Sequence, residues 1–563
     1  MKSSPAGAWL FLVLVAAFTP ARAGASCVAV DVRMDDAQHA LDITVHLPPS
    51  VNRIALDDLK PYSRKALWTS PDGSTRIDDD AISAADDRRE LHIRMDVAHS
   101  PPRHDRSYAP FLRFVDGTVA LYTPQFLAGE QSTLTLCPRY IPAKGQQVIG
   151  FGRAQSSPLQ AGDTNPRGYV AFGTPEVTRN GGVLLVSDRQ APTWMREHMA
   201  KQAPRLVDFY TRRLGPGTVP TLFLFAQPEE QGVRNFNGDH LPSSLTLGLY
   251  GSGWETMDED TLDDADNFLA HELFHVWNSA PLLGSPEGEG LLAKEGGAEL
   301  ARVIATASLA GRSPKEWLGS LDGANNGCLV GSSADNSIAA ALKNPSPGML
   351  PYQCGMVLMF AAAMAANPHD PAAGYFGLWR ALERQHQAKP IDGYAWTDLI
   401  PPQASPELRQ ALIAAVQSPH GYAEHMRDVW RMLGMQTEPV AQLGQNDRHR
   451  YAATLMAHMM KQDCGGSVSF WNNPDGILLD KSLSTCHALR VGATVVAMQG
   501  QPFATGDVLA MASEVADRCA RGDTVQVSYA PNAKDAASSS SDVRCHAPLA
   551  LPPPPVHLVL PAS

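Results

Sequence analysis

His271-Glu272-Leu273-Phe274-His275 lies within Asp258 to Ala280, where apolar Leu262, Ala265, Phe268, Leu269, Leu273 and Val276 recur at helical spacing. Acidic residues open the stretch and Pro281 closes it, as expected at the two ends of a helix. On that helix His271 and His275 stand one turn apart on one face, with the Glu272 carboxylate beside them. Two imidazoles at this spacing with an adjoining acid form the first half of a zinc site that carries its own base.

Working outward, the pattern is helical on both sides of the motif. Thr193 to Leu214, Leu291 to Leu309, Tyr352 to Asn367, Ala373 to Gln387 and Pro406 to Gln417 carry helical spacing, and Pro220 to Ala226 and Leu245 to Tyr250 are short β runs. Asp322 to Pro351, rich in Gly, Asn, Ser and Pro, reads as a long loop stapled by Cys328 and Cys354. Toward the N-terminus the period shortens to two. Leu41 to Leu47, Leu91 to Met95, Thr133 to Leu136 and Val183 to Val186 are β-rich runs broken by turn signals such as Ser70-Pro71-Asp72-Gly73. Beyond a polar joint at Gly444 to His449 the strand period returns, then come a Ser-rich loop (Ala536 to Ser541) and a proline run (Pro552 to Pro555). The expected class is multidomain α+β. Residues 24–190 form an antiparallel β-sandwich-like domain, 191–440 a mainly helical catalytic domain, 450–547 a small β domain and 548–563 a tail.

A catalytic zinc site takes three donors from protein, so one ligand is still needed. The downstream carboxylates are Glu287 and Glu289, in the Gly-rich loop Gly284 to Gly290, and Glu295 and Glu299 on the next helix. Glu295 is the expected third ligand. A returning helix brings its first turn back against the two histidines, and Gly296-Gly297 permits close approach. Glu299, one turn on, is placed to take a hydrogen bond from the outer nitrogen of a ligand histidine.

The 563 residues carry 46 basic and 58 acidic side chains, a net charge of −12, which disfavours a nucleic-acid partner. Residues 1–23 carry Lys2, an apolar run from Ala8 to Phe18 and Ala21-Arg22-Ala23, the pattern of a secretory signal peptide. That run is shorter than the roughly 20 residues a membrane span needs, and no later stretch is long enough, so no transmembrane segment is expected. Export makes disulfides the expectation for the eight cysteines. Pairing of sequence neighbours gives Cys27–Cys137, Cys328–Cys354, Cys464–Cys486 and Cys519–Cys545, although eight cysteines admit about 105 connectivities.

His271 to Asn278 (His-Glu-Leu-Phe-His-Val-Trp-Asn), followed by Lys294-Glu295-Gly296-Gly297-Ala298-Glu299, resembles the gluzincin metallopeptidases and most closely their glycyl aminopeptidase family. The resemblance implies a thermolysin-like catalytic domain, one zinc ion on His271, His275 and Glu295, and Glu272 as general base. Tyr352-Gln353-Cys354-Gly355 is similar to a Tyr-x-Lys-Gly stretch of gluzincin aminopeptidases, which implies oxyanion stabilisation by Tyr352, with Cys354 where lysine is usual. Asn237 to Ser244 corresponds to the family's substrate-holding edge strand, which gives Gly238 and Asp239 a substrate-binding role, with aspartate where glutamate is usual. The segment from Thr454 to Ala530 is similar to a PDZ domain. Its markers are Cys464-Gly465-Gly466-Ser467-Val468-Ser469-Phe470, Leu489 to Val496 and Gln499-Gly500-Gln501-Pro502, and the likeness implies a peptide ligand bound by strand addition. The implied function is a periplasmic or secreted zinc metallopeptidase, an aminopeptidase. Its rival is a peptide-binding or chaperone-like protein with an idle or structural zinc site.

Overall fold

The computed structural model describes residues 26–560 apart from 102–107, 130–131, 133, 161–166, 228–233, 279–287, 333–336, 344–346, 389–395, 420, 467, 474–475, 481–484, 532–538, 550 and 552. The expected signal peptide, and Glu287 among the candidate ligands, lie outside the described residues. The chain forms two compact units. All four sequence-neighbour disulfides are formed, Cys27–Cys137 in the first unit and the other three in the second. No described helix is long and apolar enough to cross a membrane.

The first unit is built on a six-stranded sheet whose central strands are Leu134–Ile141, Ser26–Met34, Ala40–His46 and Glu90–Asp96, in that order. Alternate residues of Ser26–Met34, among them Val28, Val30 and Val32, are fully buried, the period-two signature of a half-covered strand. The expected antiparallel arrangement holds for the other pairs of this sheet but needs correction at one. Ser26–Met34 runs parallel to Leu134–Ile141, with Ala29 opposite Cys137. The two strands are separated in sequence by three other strands of the sheet, which gives the chain the long return that a parallel pair requires.

The second unit holds a five-stranded sheet in the order Glu176–Asn180, Val183–Ser187, Thr221–Gln227, Ser244–Tyr250 and Asn235–Leu241. Val183–Ser187, Thr221–Gln227 and Ser244–Tyr250 are parallel and almost wholly buried, hence their continuous apolar sequences. The expected domain boundary at residue 190 is therefore misplaced. Glu176–Asn180 and Val183–Ser187, assigned to the N-terminal β domain, belong to this sheet. Helix Thr193–Leu214 returns the chain over it, burying Met195, Met199, Ala203, Leu206, Tyr210 and Leu214. Asn235–Leu241 closes the sheet as an antiparallel edge strand.

Helices Glu259–Asn278, Gly290–Leu309, Pro314–Gly331, Leu350–Ala366 and Pro371–Ala388 follow. Leu350–Ala366 is buried on every side from Cys354 to Met364, as befits a helix apolar all round. It crosses Gly290–Leu309 at bare backbone. A Cβ on Gly296 would fall 2.2 Å from the Cα of Gly355, and one on Gly355 would fall 2.2 Å from the carbonyl oxygen of Leu292.

The loop expected from Asp322 to Pro351 is helical over its first third and carries a further short helix, Ile338–Ala341. Glycine and asparagine are weak helix formers, but packing overrides propensity here. Asn325 and Asn326 are buried, and Gly323 and Gly327 admit the side chains of Arg450 and Gln353 at distances no Cβ would allow. The polar joint at Gly444 to His449 likewise opens a helix, Gln445–Asp463, which buries Tyr451, Leu455, Met456, Met459 and Met460 against the C-terminal sheet. That sheet runs Phe470–Asn473, Gly476–Leu479, Thr494–Met498, Thr524–Tyr529 and Ser540–Arg544, with helix Val508–Arg521 between its third and fourth strands. The tail then returns to the catalytic helices. Val556–Val559 pairs with Gln436–Pro439, Asp322 accepts the Leu558 amide at 2.8 Å, and Leu558 is buried in the main core.

Candidate metal centre

The motif helix starts where its sequence places a cap. Asp258 Oδ1 accepts the Thr261 amide and Thr261 Oγ1 accepts the Asp258 amide, both at 2.8 Å, a reciprocal cap at the N-terminus. Ala265, Phe268, Leu269 and Leu273 bury the helix and carry His271, Glu272 and His275 into the interior with it. The two imidazole centroids stand 5.0 Å apart.

Glu295 is brought to both. Its Oε2 lies 3.3 Å from His271 Nε2 and 3.5 Å from His275 Nε2, and all three groups are buried with their donor atoms within 4.8 Å of one another. These separations test the site for a metal. Bonds of about 2.0–2.2 Å in a tetrahedron place neighbouring donors about 3.3–3.6 Å apart. The residues present therefore fit a zinc-sized ion, and two imidazoles with a carboxylate suit zinc by donor type. Among the described residues, two other groups of potential donors, around His458 and Asp463, contain cysteines already joined in disulfides. Glu289, the alternative ligand, instead accepts the Trp396 indole N–H at 3.0 Å.

Behind the histidines each ring is held from its far side. His271 Nδ1 stands 2.8 Å from Glu299 Oε1, and Arg302 grips Glu299 Oε2 through Nε at 2.8 Å and Nη2 at 2.6 Å. Burial works against the Glu299 charge, but Arg302 and His271 prevail and hold its pKa at about 2. Asn278, which sequence reasoning passed over, meets His275 Nδ1 at 2.8 Å through its side-chain oxygen. Its position three residues after His275 on the same helix was the available signal.

Glu272 is buried beside the histidines without joining the donor cluster. Burial raises its pKa to about 8, with Asp239 and Glu295 adding to the rise against the opposing pull of His271. Gly238, on the edge strand, lies directly over it: a Cβ there would sit 2.5 Å from the Glu272 carboxyl carbon. Asp239 is the next residue on that strand, paired opposite Thr246. His240, not foreseen as a site residue, shares the Gly238 pleat, and its ring centroid is 6.4 Å from that of His275. Burial, then His275 and Lys294, lower its pKa to about 3, so it is neutral. The Tyr352 ring stacks on His271 at 5.8 Å and 28°. The negative charge of Glu295, then burial, keep its hydroxyl protonated well above the usual range. The structure thus gathers His271, Glu272, His275, Glu295, Glu299 and Tyr352 around one point, with Gly238 of the edge strand over Glu272 and Asp239 next along that strand.

No family model matches the sequence, and no curated protein matches it. Among solved structures the chain is similar to the aminopeptidase N family protein of Idiomarina loihiensis, with 12% identity and a TM-score of 0.56 over 95% of this chain and 98% of that one. At that identity the likeness establishes the fold. A variant of an M1 zinc metallopeptidase from Deinococcus radiodurans, bound to a Tyr-Ser-Ala substrate, aligns over 70% of this chain and 94% of that one, with 15% identity and a TM-score of 0.43, too low to carry an argument.

Proposed function

We propose that this chain is an exported zinc metallopeptidase acting as an aminopeptidase. The observation that carries the reading is the convergence of His271, His275 and Glu295 at tetrahedral donor spacings, with Glu272 buried alongside. The fold shared with an aminopeptidase N family protein supports it. His271, His275 and Glu295 hold one zinc ion, which when bound supplies polarisation of a carbonyl and acidification of a water molecule. Glu272 takes the proton of the attacking water and delivers it to the leaving amine, a role suited to a carboxyl whose proton affinity burial has raised. The Tyr352 hydroxyl donates to the oxygen on which negative charge develops. The edge strand Asn235–Leu241 orders the substrate backbone, Gly238 keeps the strand close to Glu272, and Asp239 receives the free N-terminal ammonium.

Residues 1–23 direct export, consistent with four formed disulfides, and place the protein in the periplasm or outside the cell. Residues 450–547 constitute a PDZ-like module. A second reading, peptide binding by this module, is favoured by its edge strand Phe470–Asn473, which exposes 46% of Trp471. The deciding experiment is hydrolysis of free-amine and N-blocked peptides by the mature chain and by Glu272→Gln, with zinc quantified in both. Cleavage of free-amine substrates only, abolished in a variant that retains zinc, is the expected outcome. Near-normal turnover by Glu272→Gln refutes the mechanism, and turnover of blocked substrates refutes the aminopeptidase assignment.

A further inference from the structure

The Asn278 side chain is fully buried and spans two elements. One end meets His275 Nδ1 at 2.8 Å, and the other donates from Nδ2 to the carbonyl oxygen of Lys294 at 2.7 Å. The second contact fixes the first. A carbonyl oxygen only accepts, so the end of the amide facing Lys294 is the NH2, and the end facing His275 is the oxygen. An amide oxygen in turn only accepts, so His275 Nδ1 carries the proton and Nε2 presents its lone pair toward Glu295 and His271. Lys294 immediately precedes Glu295, so the same amide that sets the His275 tautomer also anchors the N-terminal part of the helix bearing the third donor.

We infer that Asn278 is a positioning residue of the metal centre: it holds His275 in the Nδ1–H tautomer, while its bond to Lys294 stabilises the packing of the two donor-bearing helices. This rests on the zinc reading given above. The two histidines are held by unlike partners, His271 by a carboxylate that Arg302 neutralises and His275 by an uncharged amide. Tautomer control at His275 therefore adds no negative charge to a pocket that already contains Glu272, Glu295 and Glu299.

The test is zinc affinity, measured by chelator competition on the full mature chain, beside the unfolding midpoint of each metal-free protein, for N278A and N278D. N278A removes both contacts. N278D keeps an acceptor for His275 Nδ1 but loses the donor to Lys294. Both variants lower the unfolding midpoint. Zinc affinity falls about 10- to 100-fold in N278A and stays within about threefold of the parent in N278D, the range seen when an orienting partner of a ligand is removed or kept. A merely structural role moves affinity and midpoint together in both variants. If N278A does not fold, N278D decides alone: affinity near that of the parent supports the inference, and a loss of more than about tenfold overturns it. N278A binding as tightly as the parent also overturns it. A parent chain that takes up no zinc in the same titration overturns the zinc reading, and this inference with it.

Discussion

Replacing Gly296 by alanine tests the helix crossing that brings Tyr352 to the metal site. The added Cβ would sit 2.2 Å from both Cα and the carbonyl carbon of Gly355 and 2.5 Å from the backbone nitrogen of Met356. Ordinary carbon contacts lie at about 3.5–4.0 Å, so helices Gly290–Leu309 and Leu350–Ala366 must separate by about 1.3–1.8 Å. All three clashing atoms are backbone, and no rotamer change can relieve them. Overpacking of this kind costs about 1–3 kcal/mol, and the alanine recovers about 1 kcal/mol of helix propensity. With the clash at the rigid end of its range, the expected net loss is about 2 kcal/mol. Gly319 is the matched control. It is exposed in helix Pro314–Gly331 with nothing within 4 Å of an added methyl, so G319A stabilises by about 0.5–1 kcal/mol. The two Gly→Ala changes thus differ in sign and by about 3 kcal/mol, more than a hundredfold in the folding constant. Urea denaturation followed by circular dichroism measures the stabilities, and peptide hydrolysis measures turnover, which falls in G296A as Tyr352 leaves His271 and remains unchanged in G319A. A G296A protein as stable as G319A and fully active would show that the crossing is not the close contact described.

Four further outcomes follow from other contacts. G238A pushes the Glu272 carboxyl aside and lowers kcat about 10- to 100-fold without loss of bound zinc, measured by steady-state kinetics and metal analysis; unchanged kcat refutes the close packing of the edge strand on Glu272. The double change C328A/C354A removes a cross-link spanning 26 residues and costs about 3.5 kcal/mol on the loop-entropy scale, read by denaturant unfolding against the oxidised parent. Burial raises the pKa of Asp188, aided by Asp116 and only partly offset by amide bonds from Gln190 and Val115. Its contribution is thus fullest below the unfolded value of 3.8 and is lost as pH rises through the folded pKa, so D188N flattens a decline in stability over that window, and equal slopes for the two proteins count against it. D322A frees the Leu558 amide and His557 Nδ1, costs about 1–3 kcal/mol and exposes the tail to limited proteolysis, whereas an unchanged cleavage pattern rejects the clasp.

The sequence made the metal helix legible because a period of 3.6, a cap and a five-residue motif agreed on one element. Thr193–Leu214 and Pro406–Gln417 were legible from periodicity, each with one continuous apolar face. Glu295 could be reached by chain geometry alone. Asn278, although quoted in the motif, was given no role, because its second contact, with the Lys294 carbonyl, comes from another helix. The helix through Asp322 and Asn326 was illegible because its formation depends on partners distant in sequence, Gln353, Arg450 and the Val556 amide, which no local propensity contains. The run Val183 to Val186 was legible as β but was placed in the N-terminal domain, whereas it pairs with Thr221–Gln227 in the second unit. Periodicity reports which face of a strand is covered and leaves open which sheet covers it.

The return of Val556–Val559 to Gln436–Pro439 orders events in time as well as space. Leu558 belongs to the core around the metal helices, yet it leaves the ribosome only after the entire C-terminal sheet has been synthesised. The sheet from Phe470 to Arg544 can therefore form while the catalytic core still lacks one of its buried side chains, and the newly made chain closes that core from its far end. Once closed, the C-terminal sheet is tethered at both ends, as an inserted element is, and a hinge through a single linker is not available to it.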